Sequence, residues 1–136
     1  MNRSLATIMH EPERPYLLRI GLTLHAGRGV FAGERIPAGS QVEECPIIEI
    51  SQEELGVMLP TVLGDYFFQW GPTREEGALA LGYGSLFNHS FNPNAAYVRK
   101  YESKTLLFVS IRDIEKDEEI TVNYNGSTED RSPVWF

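Results

Sequence analysis

The sequence predicts a mainly β domain. Short runs rich in β-branched and aromatic residues recur along the chain, each bounded by Gly, Pro or small polar residues. Only one segment carries a clear helix start. A chain of 136 residues with 42% hydrophobic content supplies a single core, so one domain is expected.

Residues 1–15, with Glu11-Pro-Glu-Arg-Pro15, read as a lead-in. Tyr16–Ile20 and Gly29–Ala32 are the first two predicted strands, each bounded by Gly. Ile36-Pro-Ala-Gly39 is a turn, because Pro presets φ and Gly supplies a positive one. Gln41–Ile50 is expected to form a strand pair interrupted at Pro46, which lacks the N–H a ladder uses. Ser51-Gln-Glu-Glu54 is a capping box, opening a short helix that ends before Pro60. Asp65–Trp70 is strand-like and aromatic, and residues 71–77 form an exposed turn before Ala78–Leu81. Gly82-Tyr-Gly84 then leads through a short helical turn and loop. Ala95–Tyr101 and Thr105–Arg112 form a hairpin around Glu102-Ser-Lys104, and a charged connection at 113–118 reaches a last strand at Glu119–Val122.

Bulk properties narrow the function classes. Twelve Lys and Arg against nineteen Asp and Glu give a net charge of −7. Without a basic patch, direct nucleic-acid binding is not expected, because that affinity depends on neutralising phosphates. The acidity suits either a basic protein partner or simple solubility. The single cysteine, Cys45, excludes an intramolecular disulfide and a cysteine-cluster zinc site, so no metal is expected. No apolar run approaches the roughly 18–20 residues that span a bilayer, and no secretory h-region is present. The expectation is an intracellular protein, with nuclear and cytoplasmic placement left open.

Three segments carry chemistry. They are Gly27-Arg-Gly-Val-Phe-Ala32, Phe87-Asn-His-Ser-Phe-Asn-Pro-Asn94, and Asp117-Glu-Glu-Ile-Thr-Val-Asn-Tyr124. In this order they resemble the signature segments of the SET-domain protein lysine methyltransferases, over about residues 16–126. The resemblance implies a β-clip-like fold of several small curled sheets, a knot-like C-terminal threading and one or two short helices. It implies S-adenosyl-L-methionine as cofactor and the side-chain amine of a lysine, in a histone-like or other basic protein, as acceptor. The alternative is a catalytically silent SET module that binds a basic partner. With no cysteine-rich zinc segments, the chain resembles the minimal members of that family.

The same resemblance assigns roles. Tyr124 ends a segment similar to the family's Gly-Glu-Glu-Leu-Thr-Phe-Asp-Tyr and corresponds to its active-site tyrosine; Asp117 stands in place of the first Gly and Asn123 in place of Asp. Tyr66 matches a second channel tyrosine. Arg28, Gly29 and Val30 match the first cofactor turn, Asn88 and His89 the cofactor-binding pair, and Tyr83 either borders the cofactor or packs. Val122 occupies a channel position that helps set how many methyl groups are added. Phe87 is expected in the core; His10 and His25 belong to no motif. The tail 127–136 ends on Trp135 and Phe136. These either fold over the substrate channel or pack elsewhere, on a remote face or at a homodimer interface.

The chemistry explains the aromatic bias. A lysine of pKa about 10.4 is neutral at pH 7 in only about one molecule in 2,500, a penalty near ~4.6 kcal/mol. A desolvated channel beside a positive sulfonium lowers that pKa. Tyrosine rings line the alkyl stem, and their hydroxyls offer fixed dipoles at the amine.

Overall fold

The computed structural model describes residues 16–127, 129 and 131. The lead-in 1–15 and the aromatic pair Trp135 and Phe136 lie outside them.

Nine strands, one α-helix and two 3-10 turns make up the domain among the described residues. The strands are β1 (Leu18–Leu22), β2 (Arg28–Ala32), β3 (Gln41–Ile50), β4 (Phe67–Trp70), β5 (Glu76–Ala80), β6 (Asn88–His89), β7 (Ala95–Lys100), β8 (Thr105–Ser110) and β9 (Glu119–Val122). Helix α1 covers Gln52–Met58. One sheet has the order β1-β2-β9-β6, the other β4-β5-β3-β8-β7.

The predicted capping box forms. Ser51 Oγ accepts from Glu54 N, and Glu54 Oε1 accepts from Ser51 N, so two orphan N–H groups are satisfied reciprocally. The predicted hairpin also forms, as β7 and β8 in register from Ala95 with Ser110 to Lys100 with Thr105. Lys104 closes its turn at φ +56°.

Four local expectations are corrected. Gln41–Ile50 is one continuous strand rather than a pair broken at Pro46. Pro46 sits where β3 changes partners: residues up to Pro46 pair with β8, and Ile47–Ile50 pair with β5. Its missing N–H falls at the junction, while its carbonyl accepts from Leu81 N. The first strand is shifted to Leu18–Leu22. The strand predicted from Asp65 starts at Phe67, because Val62–Tyr66 coil into a 3-10 turn begun by the Thr61 side chain accepting from Leu63 N. Asn88–His89, predicted as loop, is a short strand.

The core joins the two sheets. Phe68 of β4 packs edge-on against Tyr97 of β7, Phe108 of β8 and Tyr124, at centroid distances of 4.9, 6.0 and 6.3 Å. Phe87 is fully buried beside Phe108, as expected of it. Trp70 is fully buried and donates its indole N–H to Glu49 Oε2 at 3.0 Å.

Strand β9 lies inside the first sheet. It pairs antiparallel with β2 and parallel with β6, Asn88 opposite Thr121 and His89 opposite Val122. Asn94, 1% exposed, locks this arrangement. Its Oδ1 accepts from Thr121 N at 2.9 Å, and its Nδ2 donates to Glu119 O at 2.8 Å and Glu118 Oε2 at 3.2 Å. Replacing Asn94 by Ala strands a part-buried N–H and a part-buried C=O of β9, each costing about 1–3 kcal/mol. Urea denaturation of Asn94→Ala is therefore expected to show a loss of at least about 2 kcal/mol, and a midpoint equal to wild type would contradict this role.

Candidate functional site

The pairing of β6 with β9 carries Tyr124 across to Asn88. Around them opens a cavity of about 330 Å³ lined by His25, Ala26, Arg28, Asp65, Tyr66, Ser85, Leu86, Asn88 and Tyr124. Its size and mixed lining fall in the range of small-molecule sites. Beside it runs a narrow passage between Asp65, Tyr66, Phe67, Phe68, Ser85 and Tyr124, with room for about one water molecule at 10 Å³. Beyond Phe67 and Phe68 lies a second cavity of about 320 Å³, bounded by Leu55, Leu59, Gln69, Arg74 and Glu76 as well. The three spaces share walls and form a row. The first and last are each nearly a ligand's size, and the middle one excludes bulk water.

Tyr124 is fixed at three points. Its hydroxyl donates to Phe87 O at 2.6 Å, its backbone N–H donates to His89 Nδ1 at 3.0 Å, and its carbonyl accepts from Tyr97 OH at 3.2 Å. Burial, with smaller contributions from Tyr66, Tyr97, Glu119 and Asp65, pushes its phenol well above the ordinary value. At neutral pH the phenol keeps its proton and donates it to the Phe87 carbonyl.

Asn88 is fixed by its amide nitrogen. Nδ2 donates to Glu119 Oε2 at 2.7 Å and to Arg28 O at 3.0 Å, which uses both of its hydrogens and leaves Oδ1 as the atom for an incoming donor. This pairing needs Gly29. A Cβ there would stand 2.5 Å from Glu119 Oε2 and 2.9 Å from Asn88 Nδ2, closer than any real contact.

His89 acts on backbone rather than in the cavity. Accepting from Tyr124 N requires its Nδ1 to be unprotonated, which sets the tautomer with hydrogen on Nε2. Its ring lies against Phe91 and Tyr124, at 4.4 and 5.3 Å.

The residues predicted from sequence thus divide. Tyr66, Tyr124, Arg28 and Asn88 come together on one cavity. Gly29 and His89 support it from behind. Val30 and Val122 are fully buried in the core and do not line it. On β9 the alternation turns Ile120 and Val122 inward. Tyr83 is partly buried against the core, and its backbone N–H donates to Glu43 at 3.3 Å. His25, Asp65, Ser85 and Leu86 line the cavity without having been singled out. Ser85 follows the signature glycine turn closely, but nothing local marks its Oγ as donating to Tyr66 O, at 3.1 Å. Glu119 lay within a quoted motif, yet its hold on Asn88 is a contact 31 residues apart in sequence.

One departure from the family pattern has a backbone explanation. Asp117, in place of Gly, has φ +72°, a conformation free to Gly and tolerated by Asp. Its carboxylate also meets Arg19 at 3.2 Å on the surface.

No group of three or more His, Cys, Asp or Glu among the described residues is arranged to hold a metal. No helix among them is long and apolar enough to cross a membrane.

Comparison with known proteins identifies the family and the fold. Residues 27–125 match the family described as the SET domain. A Schizosaccharomyces pombe protein described as "Histone-lysine N-methyltransferase, H3 lysine-37 specific" is 36% identical over 120 residues, 88% of this chain and 76% of that protein. A Saccharomyces cerevisiae protein described as "Potential protein lysine methyltransferase SET6" is 52% identical over 125 residues, 88% of this chain but only 32% of that protein. Among solved structures, a Plasmodium falciparum protein described as a "putative histone methyltransferase" superposes with a TM-score of 0.66 at 33% identity, covering 81% of this chain and 94% of that one. A humanized mutant of the Chaetomium thermophilum Polycomb Repressive Complex 2 gives 0.67 at 24% identity, covering 80% of this chain and 15% of that one, a likeness of fold alone.

A pH dependence follows from His89. Desolvation lowers its pKa below the usual 6.5. Below about pH 6.5 the unfolded chain binds a proton that the folded chain refuses, so stability is full above that value and falls as pH drops toward the folded pKa. Thermal melts from pH 8 to 5 are expected to show this loss, and His89→Asn, whose amide oxygen can replace Nδ1, is expected to flatten it. An unchanged slope in that variant would remove His89 as the cause.

Proposed function

Since the chain belongs to the SET-domain family, we propose that it transfers a methyl group from S-adenosyl-L-methionine to the side-chain amine of a protein lysine. The observation that carries this reading is the buried Tyr124 phenol, held by its bond to Phe87 O where the larger cavity and the narrow passage meet.

The larger cavity suits the cofactor. Asn88 Oδ1 is an acceptor for the ammonium of its methionine end, and Arg28 and Ala26 border the same space. Gly29 supports that fit by letting Asn88 and Glu119 close behind it. When bound, the cofactor supplies an activated methyl group on a positive sulfur.

The remaining work falls to the chain's own side chains. Tyr66, Phe67 and Phe68 wall a passage that excludes bulk water, and so favour the neutral amine over the ammonium. Tyr124, a phenol that is protonated at neutral pH and held further so by burial, is not a general base. It offers a preorganised acceptor that orients the amine N–H groups and is not reorganised during reaction. A basic segment on the far side of Phe67 and Phe68 suits the net charge of −7.

Two variants test this reading. Tyr124→Phe removes one acceptor and little volume, and single-turnover methylation of a basic protein panel is expected to slow by about 10²–10³-fold at saturating cofactor. A rate within about threefold of wild type would take Tyr124 out of the mechanism. Asn88→Ala is expected to weaken cofactor binding by about ten- to a hundredfold in calorimetry, the worth of a hydrogen bond to a charged group. Equal affinity would refute the Asn88 assignment.

A further inference from the structure

We infer that the outer cavity, between helix α1 and strand β4, takes a large apolar side chain (of the Leu, Met or Phe kind) that lies one or two residues from the target lysine. This rests on the methyltransferase reading above and deepens it by naming a class of substrate sequence.

The lining sets this cavity apart. Leu55, Leu59, Phe67 and Phe68 supply most of its wall, and the other three lining residues, Gln69, Arg74 and Glu76, are exposed. Arg74 and Glu76 carry opposite charges, so the lining has no net charge with which to select an ionic group. The larger cavity at Tyr124, by contrast, is bordered by His25, Arg28, Asp65 and Asn88. A volume of about 320 Å³ is ample for one large side chain, and what that side chain meets is chiefly hydrocarbon.

The fold holds the cavity open. Phe67 is buried, yet it stands outside the main core that Phe68 joins, because successive residues of β4 point to opposite faces. Gly77 pairs with Gln69, and a Cβ on Gly77 would stand 2.8 Å from Leu55 Cδ1. Helix α1 therefore lies on the Phe67 and Gln69 face. At the end of the helix, Gly64 fits against the Leu59 carbonyl, where any Cβ would collide. Two glycine contacts thus fix the height of α1, which buries none of its own residues. Leu59 is left 48% exposed above a cavity that no side chain of the protein fills. An apolar group entering there takes this wall out of water.

Position ties the pocket to the lysine. Phe67 and Phe68 wall both the narrow passage and this cavity, so the two spaces are continuous along one edge of β4. An extended segment advances about 3.3 Å per residue, with side chains alternating in direction. A segment that sends a lysine past these rings therefore carries a side chain one or two residues away to the leucines of α1.

Fluorescence anisotropy of the full chain with labelled lysine-centred peptides tests this without requiring turnover. Each position flanking the lysine carries Ala, Leu, Met, Phe, Gln or Glu in turn. At one position the large apolar residues are expected to bind about tenfold or more tightly than Ala or Gln, the worth of burying one such side chain. Leu59→Asp is expected to abolish that preference. Val57→Asp, on the same helix but 74% exposed and off the cavity wall, is expected to keep it. Melting curves check the folding of each variant, and Leu59→Gln replaces Leu59→Asp if the latter unfolds. Equal binding at every position, a preference for Gln or Glu, or an apolar preference that survives at Leu59 overturns the inference. A dimer seen by sedimentation and dissolved by Leu59→Asp also overturns it, by giving the cavity to a second copy of the chain. Methyl-lysine formation on the same peptides, followed by mass spectrometry, scores the activity separately. Apolar-selective binding without methylation defeats the activity reading and leaves the pocket standing, whereas methylation indifferent to the flanking residue defeats the pocket alone.

Discussion

Two residue pairs of parallel strand, Asn88 with Thr121 and His89 with Val122, are the constraint on which the site depends. Parallel pairing requires a long crossover, and here the intervening hairpin β7–β8 supplies it while packing its own core residues under Phe68. The consequence is that two segments some thirty residues apart share one ladder. Asn94 clamps the outcome from inside the protein, satisfying backbone groups of β9 that the neighbouring strands do not reach. Tyr124 then has no freedom left: hydroxyl, N–H and carbonyl are all committed.

Burial does the electrostatic work at this junction. The same desolvation raises the Tyr124 phenol and lowers His89, and both shifts keep the groups neutral. A neutral His89 can accept from the Tyr124 N–H, and a neutral Tyr124 can donate to Phe87. Each bond therefore holds only in the protonation state that burial enforces. Glu119, by contrast, supplies a charge, used to orient an amide rather than to react. The site is thus a set of fixed dipoles around a dry passage, suited to a reaction in which orientation and desolvation carry most of the burden.

Much of this was legible in the sequence, for reasons that differ by residue. The α1 capping box and the β7–β8 hairpin are local, and local chemistry specified them. The mainly β class followed from short bounded runs, and Tyr66, Tyr124, Arg28 and Asn88 followed from motifs. Pro46 misled because a missing N–H disrupts a strand only where a partner awaits it; the change of partner at that residue is a tertiary fact. Val122 is a related case. Its place in the motif suggested the channel, whereas the pleat of β9 turns it into the core with Ile120. Asp65, Ser85 and His25 carry no distinctive spacing, and only folding brings them to the cavity.

The central claim is that the β6–β9 ladder builds a cofactor site at Tyr124. Backbone amide shifts recorded during titration with S-adenosylhomocysteine test it most directly. The account predicts saturable changes at Ala26, Arg28, Asn88 and Tyr124, with the distant turn at Glu102 and Ser103 unmoved. Changes confined to Leu55, Leu59 and Arg74, or no saturable change at any residue, would contradict it.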